Sequence, residues 1–165
     1  MKNIKNIKTF NNNYYVSSIL LLEDKNILIS SGNGTKFWNL NNENEPLKSF
    51  DNINTIWNKG LERIDGDKII VCNDYNLIII SISKLEIIKE ITINYLCLSI
   101  KSIKNKGLLL VGEYENGNMY VYRSDNYELI QNIENANRSR IRGFIEINNH
   151  LIASSSYGLI INWSF

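Results

Sequence analysis

An all-β chain of four repeated, four-stranded units is predicted by three observations. Trp38, Ile80, Tyr122 and Trp163 stand in equivalent apolar runs at steps of 42, 42 and 41 residues. A fixed period of this size marks stacked or radially arranged units. Among 165 residues Ala occurs only as Ala136 and Ala153, whereas Ile, Leu, Tyr and Asn abound. A chain so short of the best helix former and so rich in β-branched and aromatic residues favours strands. Finally, each unit repeats the same succession of short apolar runs, separated by turns of Asn, Asp, Lys and Gly.

The first run of each unit carries landmarks three residues apart: Val16, Ile19 and Leu22; Asn58, Leu61 and Ile64; Cys97, Ile100 and Ile103; Ile141, Phe144 and Ile147. That spacing fits a strand whose facing is shifted by a bulge; a short amphipathic helix is the rival reading. Polar turns follow at Glu23-Asp24-Lys25-Asn26, Asp65-Gly66-Asp67, Lys104-Asn105-Lys106-Gly107 and Asn148-Asn149-His150. Gly and Asn there suit tight turns that need positive φ. The second runs, Ile27-Leu28-Ile29, Ile69-Ile70-Val71, Leu108-Leu109-Leu110 and Leu151-Ile152-Ala153, are continuously apolar. Such runs belong to strands covered on both faces.

The third runs are Gly34–Leu40, Asn76–Ile82, Gly117–Tyr122 and Gly158–Phe165. The fourth, half-exposed runs are Leu47–Phe50, Ile88–Ile91 and Ile130–Ile133. Unit four lacks a fourth run, yet Ile7-Lys8-Thr9-Phe10 has its pattern and ends 40 residues before Phe50. An N-terminal strand that completes the last unit would close a ring and remove its sheet edges.

Four-stranded units of about 40–45 residues in a ring closed by such a clasp resemble the WD-repeat β-propeller family. The resemblance runs from Ile7 to Phe165. Trp38-Asn39 and Trp163-Ser164 occupy the Trp-Asp slot, whereas Ile80-Ser81 and Tyr122-Arg123 have lost the Trp. Ala136-Asn137 loosely matches the Gly-His slot, and no unit retains the family's buried His and Asp. The resemblance implies one propeller domain over 1–165, with a closing strand at 1–10 and blades at 14–50, 55–91, 94–133 and 138–165. Four blades leave three arrangements open: a compact ring, two copies clasped into an eight-bladed homodimer, or part of a larger ring.

With a net charge of +1 and a pI near 7.7, the chain has no global pull toward nucleic acid or membrane. No apolar run approaches membrane-spanning length, and Glu23-Asp24 follows Ile19-Leu20-Leu21-Leu22 where a signal peptide needs small residues. Cys72 and Cys97 have neither a disulfide-framework nor a metal-ligand spacing, so reduced core thiols in the cytoplasm are expected.

Catalytic constellations are sparse. The lone histidine, His150, lies in a turn, and Ser154-Ser155-Ser156 has no base in reach. Asp74 and Glu113 share a turn column; they are expected as solvated carboxylates, with a cation or acid–base site as the minor alternative. No cofactor, metal or enzymatic activity is expected. The adjoining column, Asn33, Tyr75, Tyr114 and Tyr157, shares a rim with the strand entries at Tyr14-Tyr15, Ile56-Trp57, Tyr95-Leu96 and Ser139-Arg140. Tyr, Trp and Arg are the residue types enriched at interaction hot spots. Arg138, Arg140 and Arg142, three of five arginines, alternate around Ile141, too few for a nucleic-acid binder. With the resemblance, this rim implies a non-catalytic scaffold that binds a protein or peptide through Tyr15, Trp57, Tyr75, Tyr114, Arg140 and Tyr157. A structural half-propeller that assembles with itself or another chain is the second reading.

Overall fold

The computed structural model describes residues 9–10, 15–41, 45–55, 60–148 and 150–164. Among the described residues fifteen strands form four antiparallel sheets, arranged as the blades of a β-propeller. Blade 1 holds β1 (Val16–Leu22), β2 (Ile27–Gly32), β3 (Gly34–Asn39) and β4 (Lys48–Phe50). Blade 2 holds β5 (Leu61–Arg63), β6 (Lys68–Asn73), β7 (Asn76–Ser81) and β8 (Glu86–Thr92). Blade 3 holds β9 (Cys97–Ile103), β10 (Leu108–Glu113), β11 (Met119–Arg123) and β12 (Leu129–Ile133). Blade 4 holds β13 (Gly143–Asn148), β14 (Leu151–Ser156) and β15 (Leu159–Ser164).

Each blade is a meander in which sequential strands pair, the arrangement that short turns enforce. The first strands are strands and not helices, and a bulge shifts the facing within the first three-residue step in blades 1 and 3. The second steps, Ile19 to Leu22 and Ile100 to Ile103, instead run in unbroken register from one face to the other. The register slips between Val16 and Ser18 in blade 1, and between Cys97 and Ser99 in blade 3. Two kinds of turn lead into the second strands. Glu23–Lys25 and Lys104–Lys106 form single 3-10 turns that end on Asn26 (φ 51°) and Gly107 (φ 64°). In the other two blades an Asp or Asn side chain holds the turn. Asp65 Oδ1 accepts the amides of Asp67 and Lys68, and Asn148 Oδ1 accepts those of His150 and Leu151, all at 2.8–2.9 Å.

The core lies between blades rather than inside one layer. Phe37 and Ile29 of blade 1 pack with Ile69, Val71 and Ile80 of blade 2. Ile70, Leu77 and Ile79 of blade 2 pack with Ile100, Leu109 and Tyr122 of blade 3. Leu110, Met119 and Val121 of blade 3 pack with Phe144 and Ile152 of blade 4. The apolar run Ile69-Ile70-Val71 of β6 thus feeds two interfaces, with Ile69 and Val71 on one side and Ile70 on the other. Inner strands β1, β5, β9 and β13 converge on the axis around a cavity of about 320 Å³ lined by Ser17, Leu61, Ile100, Lys101 and Phe144. Lys101 Nζ meets Glu62 Oε1 at 2.8 Å across blades 2 and 3.

Cys72 and Cys97 are joined as a disulfide between blades 2 and 3, with Cα atoms 5.7 Å apart. This corrects the expectation of reduced thiols. A spacing of 25 residues carries no pairing signal in a single strand, but blade packing brings the end of β6 onto the start of β9.

At the N-terminus, the Phe10 ring packs on Trp38 of blade 1, with centroids 5.4 Å apart. Among the described residues β15 pairs only with β14, so blade 4 has three strands and Phe10 is not seen in a strand beside Ile161. Ile7 and the rest of the expected closing strand at 1–8 lie outside the described residues. No helix among the described residues is long and apolar enough to cross a membrane.

Candidate functional site

The second-to-third-strand turns and the strand entries lie on one rim because the backbone laces them together. Thr55 N–H donates to Gly32 O (2.9 Å), Cys97 N–H to Asp74 O (3.0 Å) and Tyr114 N–H to Leu96 O (2.9 Å). Ile141 N–H donates to Glu113 O (3.2 Å) and Asn137 N–H to Gly117 O (2.9 Å). Close backbone approach makes two glycines necessary. A Cβ on Gly32 would run into the carbonyl of Tyr15, and one on Gly117 (φ 68°) into the carbonyls of Asn137 and Ser139.

On this rim Tyr15, Tyr75 and Tyr157 are exposed large side chains with no ring contact to one another among the described residues. Tyr114 and Arg140 are brought together. The Arg140 guanidinium lies 4.3 Å from the Tyr114 ring centroid, and its Nη1 donates to the Tyr114 hydroxyl at 3.1 Å. This contact bridges the turn of blade 3 and the entry of blade 4. It holds a planar cation against an aromatic face while its other N–H groups are without a protein partner among the described residues. Arg138 and Arg142 are exposed, and Trp57 lies outside the described residues.

The alternative carboxylate site takes a different form from that expected. Asp74 is half-buried at φ 51°, and Glu113 is not solvated but buried. Glu113 Oε1 accepts Asn116 Nδ2 at 2.9 Å, and no hydrogen bond to Oε2 is found among the described residues. The correction has a simple cause: Glu113 is the last residue of β10 and its neighbour across the ladder is Cys97, so its side chain lies under the rim. No cluster of three or more His, Cys, Asp or Glu suited to a metal is found among the described residues. His150 is exposed, and Ser154 is buried.

Ser154 belongs to a buried column that the eroded motifs concealed. Trp163 Nε1 donates to Ser154 Oγ (2.9 Å), which donates to Asn137 Oδ1 (2.8 Å). Trp38 Nε1 donates to Ser30 Oγ at 2.8 Å in blade 1. In blade 3 the hydroxyls of Tyr95 and Tyr122 meet at 2.6 Å, and Tyr95 stacks on Tyr120 with centroids 3.6 Å apart. Burial, chiefly, pushes the Tyr95 hydroxyl far above its ordinary range. In blade 2 the column is apolar, Ile53, Val71 and Ile80. A signal was present: Ile53 and Tyr95 precede Ile80 and Tyr122 by 27 residues, and Asn137 precedes Trp163 by 26.

No family model matches the chain, and no curated protein matches its sequence. Among solved structures, a chain in "Crystal Structure of Mitotic Checkpoint Complex" is similar in fold, with a TM-score of 0.83 at 12% identity. The match covers 96% of this chain and 52% of that one, so this chain spans about half its length. The likeness is one of fold alone, that of a β-propeller.

Proposed function

We propose that the chain is a WD-repeat-type propeller module that binds a protein or peptide partner through the rim of turns and strand entries, without catalysis. One observation carries the reading: Arg140 stands on Tyr114 across blades 3 and 4, with donors left for a partner's carboxylate. Tyr15, Tyr75 and Tyr157 are exposed on the same rim, where an aromatic ring gives large contact area at small entropic cost. Trp57 completes the proposed set from the sequence. That the similar fold occurs in a structure of a protein complex supports a protein partner in general terms.

The test compares proteins captured by the wild-type chain with those captured by Arg140→Glu and Tyr114→Ala. Rim partners are lost from both variants while their circular dichroism stays that of the wild type. Identical captured sets from all three proteins, with the fold intact, overturn the assignment.

A further inference from the structure

We infer that the cavity on the propeller axis is a binding site for a single α-amino acid with an apolar side chain, held as its zwitterion between Glu62 and Lys101. The inference stands apart from the rim and rests on the four inner strands.

One position recurs along these strands: Ile19, Leu61, Ile100 and Phe144, opposite Ser30, Val71, Val111 and Ser154 of the adjoining strands. All four line the cavity, so every blade gives it one apolar side chain from this position. Leu61, Ile100 and Phe144 are buried, whereas Ile19 is 70% exposed, at the place where the cavity meets solvent.

The next position along the strands departs from this uniformity. Leu20 and Ile145 hold it in blades 1 and 4, but blades 2 and 3 carry Glu62 and Lys101. Both charged groups line the cavity, with side chains only 18% and 30% exposed. A buried ion pair is weak support for a fold, and apolar residues of similar size often replace one without loss. Two blades of this chain do use apolar residues there, so packing alone does not demand the charges. The pair is also incompletely satisfied. Glu62 Oε1 accepts both Lys101 Nζ at 2.8 Å and the Ser102 amide at 3.3 Å. Among the described residues no hydrogen bond to Glu62 Oε2 is found, and Lys101 has Glu62 as its one partner, which leaves two of its three donors.

A ligand that completes this pair has to offer an acceptor to Lys101 and a donor to Glu62, side by side. A lone anion would meet the Glu62 carboxylate, and a lone cation the Lys101 ammonium. A zwitterion meets each with the opposite charge. With its α-carboxylate on Lys101 Nζ and its α-ammonium on Glu62 Oε2, an α-amino acid turns its side chain to Leu61, Ile100 and Phe144. An apolar side chain gains there by burial, and a charged one is penalised. At about 320 Å³ the cavity stands at the lower end of the range for small-molecule sites, about 300–1,000 Å³, which suits one amino acid and not a peptide strand.

Calorimetric titration of the full chain with L-leucine is the experiment, and saturable one-to-one binding is expected. N-acetyl-L-leucine lacks the ammonium and L-leucinamide the carboxylate. Each is expected to bind at least ~10-fold more weakly than L-leucine, because each loses a charged hydrogen bond. L-aspartate is expected to be weaker by a similar factor, since its second carboxylate would enter the apolar wall. Glu62→Gln and Lys101→Met are each expected to weaken L-leucine binding at least ~10-fold. Thermal unfolding of each variant, with and without L-leucine, shows that it is folded and that the ligand no longer raises its melting temperature. A wild type that does not bind L-leucine overturns the inference. The ligand series can overturn it without any variant, if L-leucine and its two single-charge analogues bind equally well. L-leucine bound at full strength by a folded Glu62→Gln or Lys101→Met chain also overturns it.

Discussion

The Tyr95 hydroxyl lies 2.6 Å from that of Tyr122, joining the entry of blade 3 to its third strand where blade 4 uses Asn137, Ser154 and Trp163. Either oxygen can donate, and burial holds both groups in the neutral form. One tyrosine pair therefore does locally what a three-residue relay does one blade later.

Replacing either tyrosine by Phe is expected to cost about 1–2 kcal/mol in urea unfolding, because the remaining hydroxyl is left buried and unpaired. The Tyr95→Phe, Tyr122→Phe double variant is expected to cost less than the sum of the two. Additive losses would show that the hydroxyls do not act as a pair. The pair also sets a pH dependence. Both folded pKa values are raised, so the neutral form is favoured in the native state. Its contribution is complete below the unfolded tyrosine value of about 10 and is lost as pH rises beyond it, where only the unfolded chain ionises. The double variant is expected to flatten this alkaline fall in stability.

Ser154→Ala is expected to cost about 1–3 kcal/mol, since the buried Asn137 Oδ1 and the half-buried Trp163 Nε1 both lose their partner. Ser155→Ala, one residue on, loses only a 3.5 Å contact to Gly143 O and is expected to lie within about 0.5 kcal/mol of wild type. Equal effects of the two substitutions on the denaturation midpoint would remove the relay from the account of blade 4.

Reduction of the Cys72–Cys97 bond is expected to lower the melting temperature without abolishing the fold. A cross-link over 25 residues contributes about 3 kcal/mol in the chain-entropy account. Scanning calorimetry with and without dithiothreitol measures it, and the Cys72→Ser, Cys97→Ser variant should be insensitive to the reductant. An unchanged melting temperature on reduction would mean that the bond adds no stability to the blade 2–blade 3 contact.

Gly117→Ala and Gly66→Ala form a matched pair. At Gly117 a Cβ meets two backbone carbonyls and the φ is 68°, so a loss above about 2 kcal/mol is expected. At Gly66 nothing lies within 4 Å of the added carbon, and the expected change is within about 0.5 kcal/mol of zero. Thermal unfolding of the two proteins side by side decides whether the rim depends on that close approach.

The sequence by itself determined the repeat, the strands and the turns. These are properties of neighbours along the chain: a 41–42-residue period, the apolar Ile69-Ile70-Val71 run that demands cover on both faces, and turn residues such as Asn26 and Gly107 that accept positive φ. The rim was legible for the same reason, since the turn column of Tyr75, Tyr114 and Tyr157 needs only correct register along each unit. Tertiary structure alone decided which side chains meet across blades. Cys72 reaches Cys97, Arg140 reaches Tyr114, and Glu113 turns under the rim, all through the angle at which one sheet packs on the next. It also decided that Ile19 and Ile160 are exposed, although the residues in their columns are buried in the other blades.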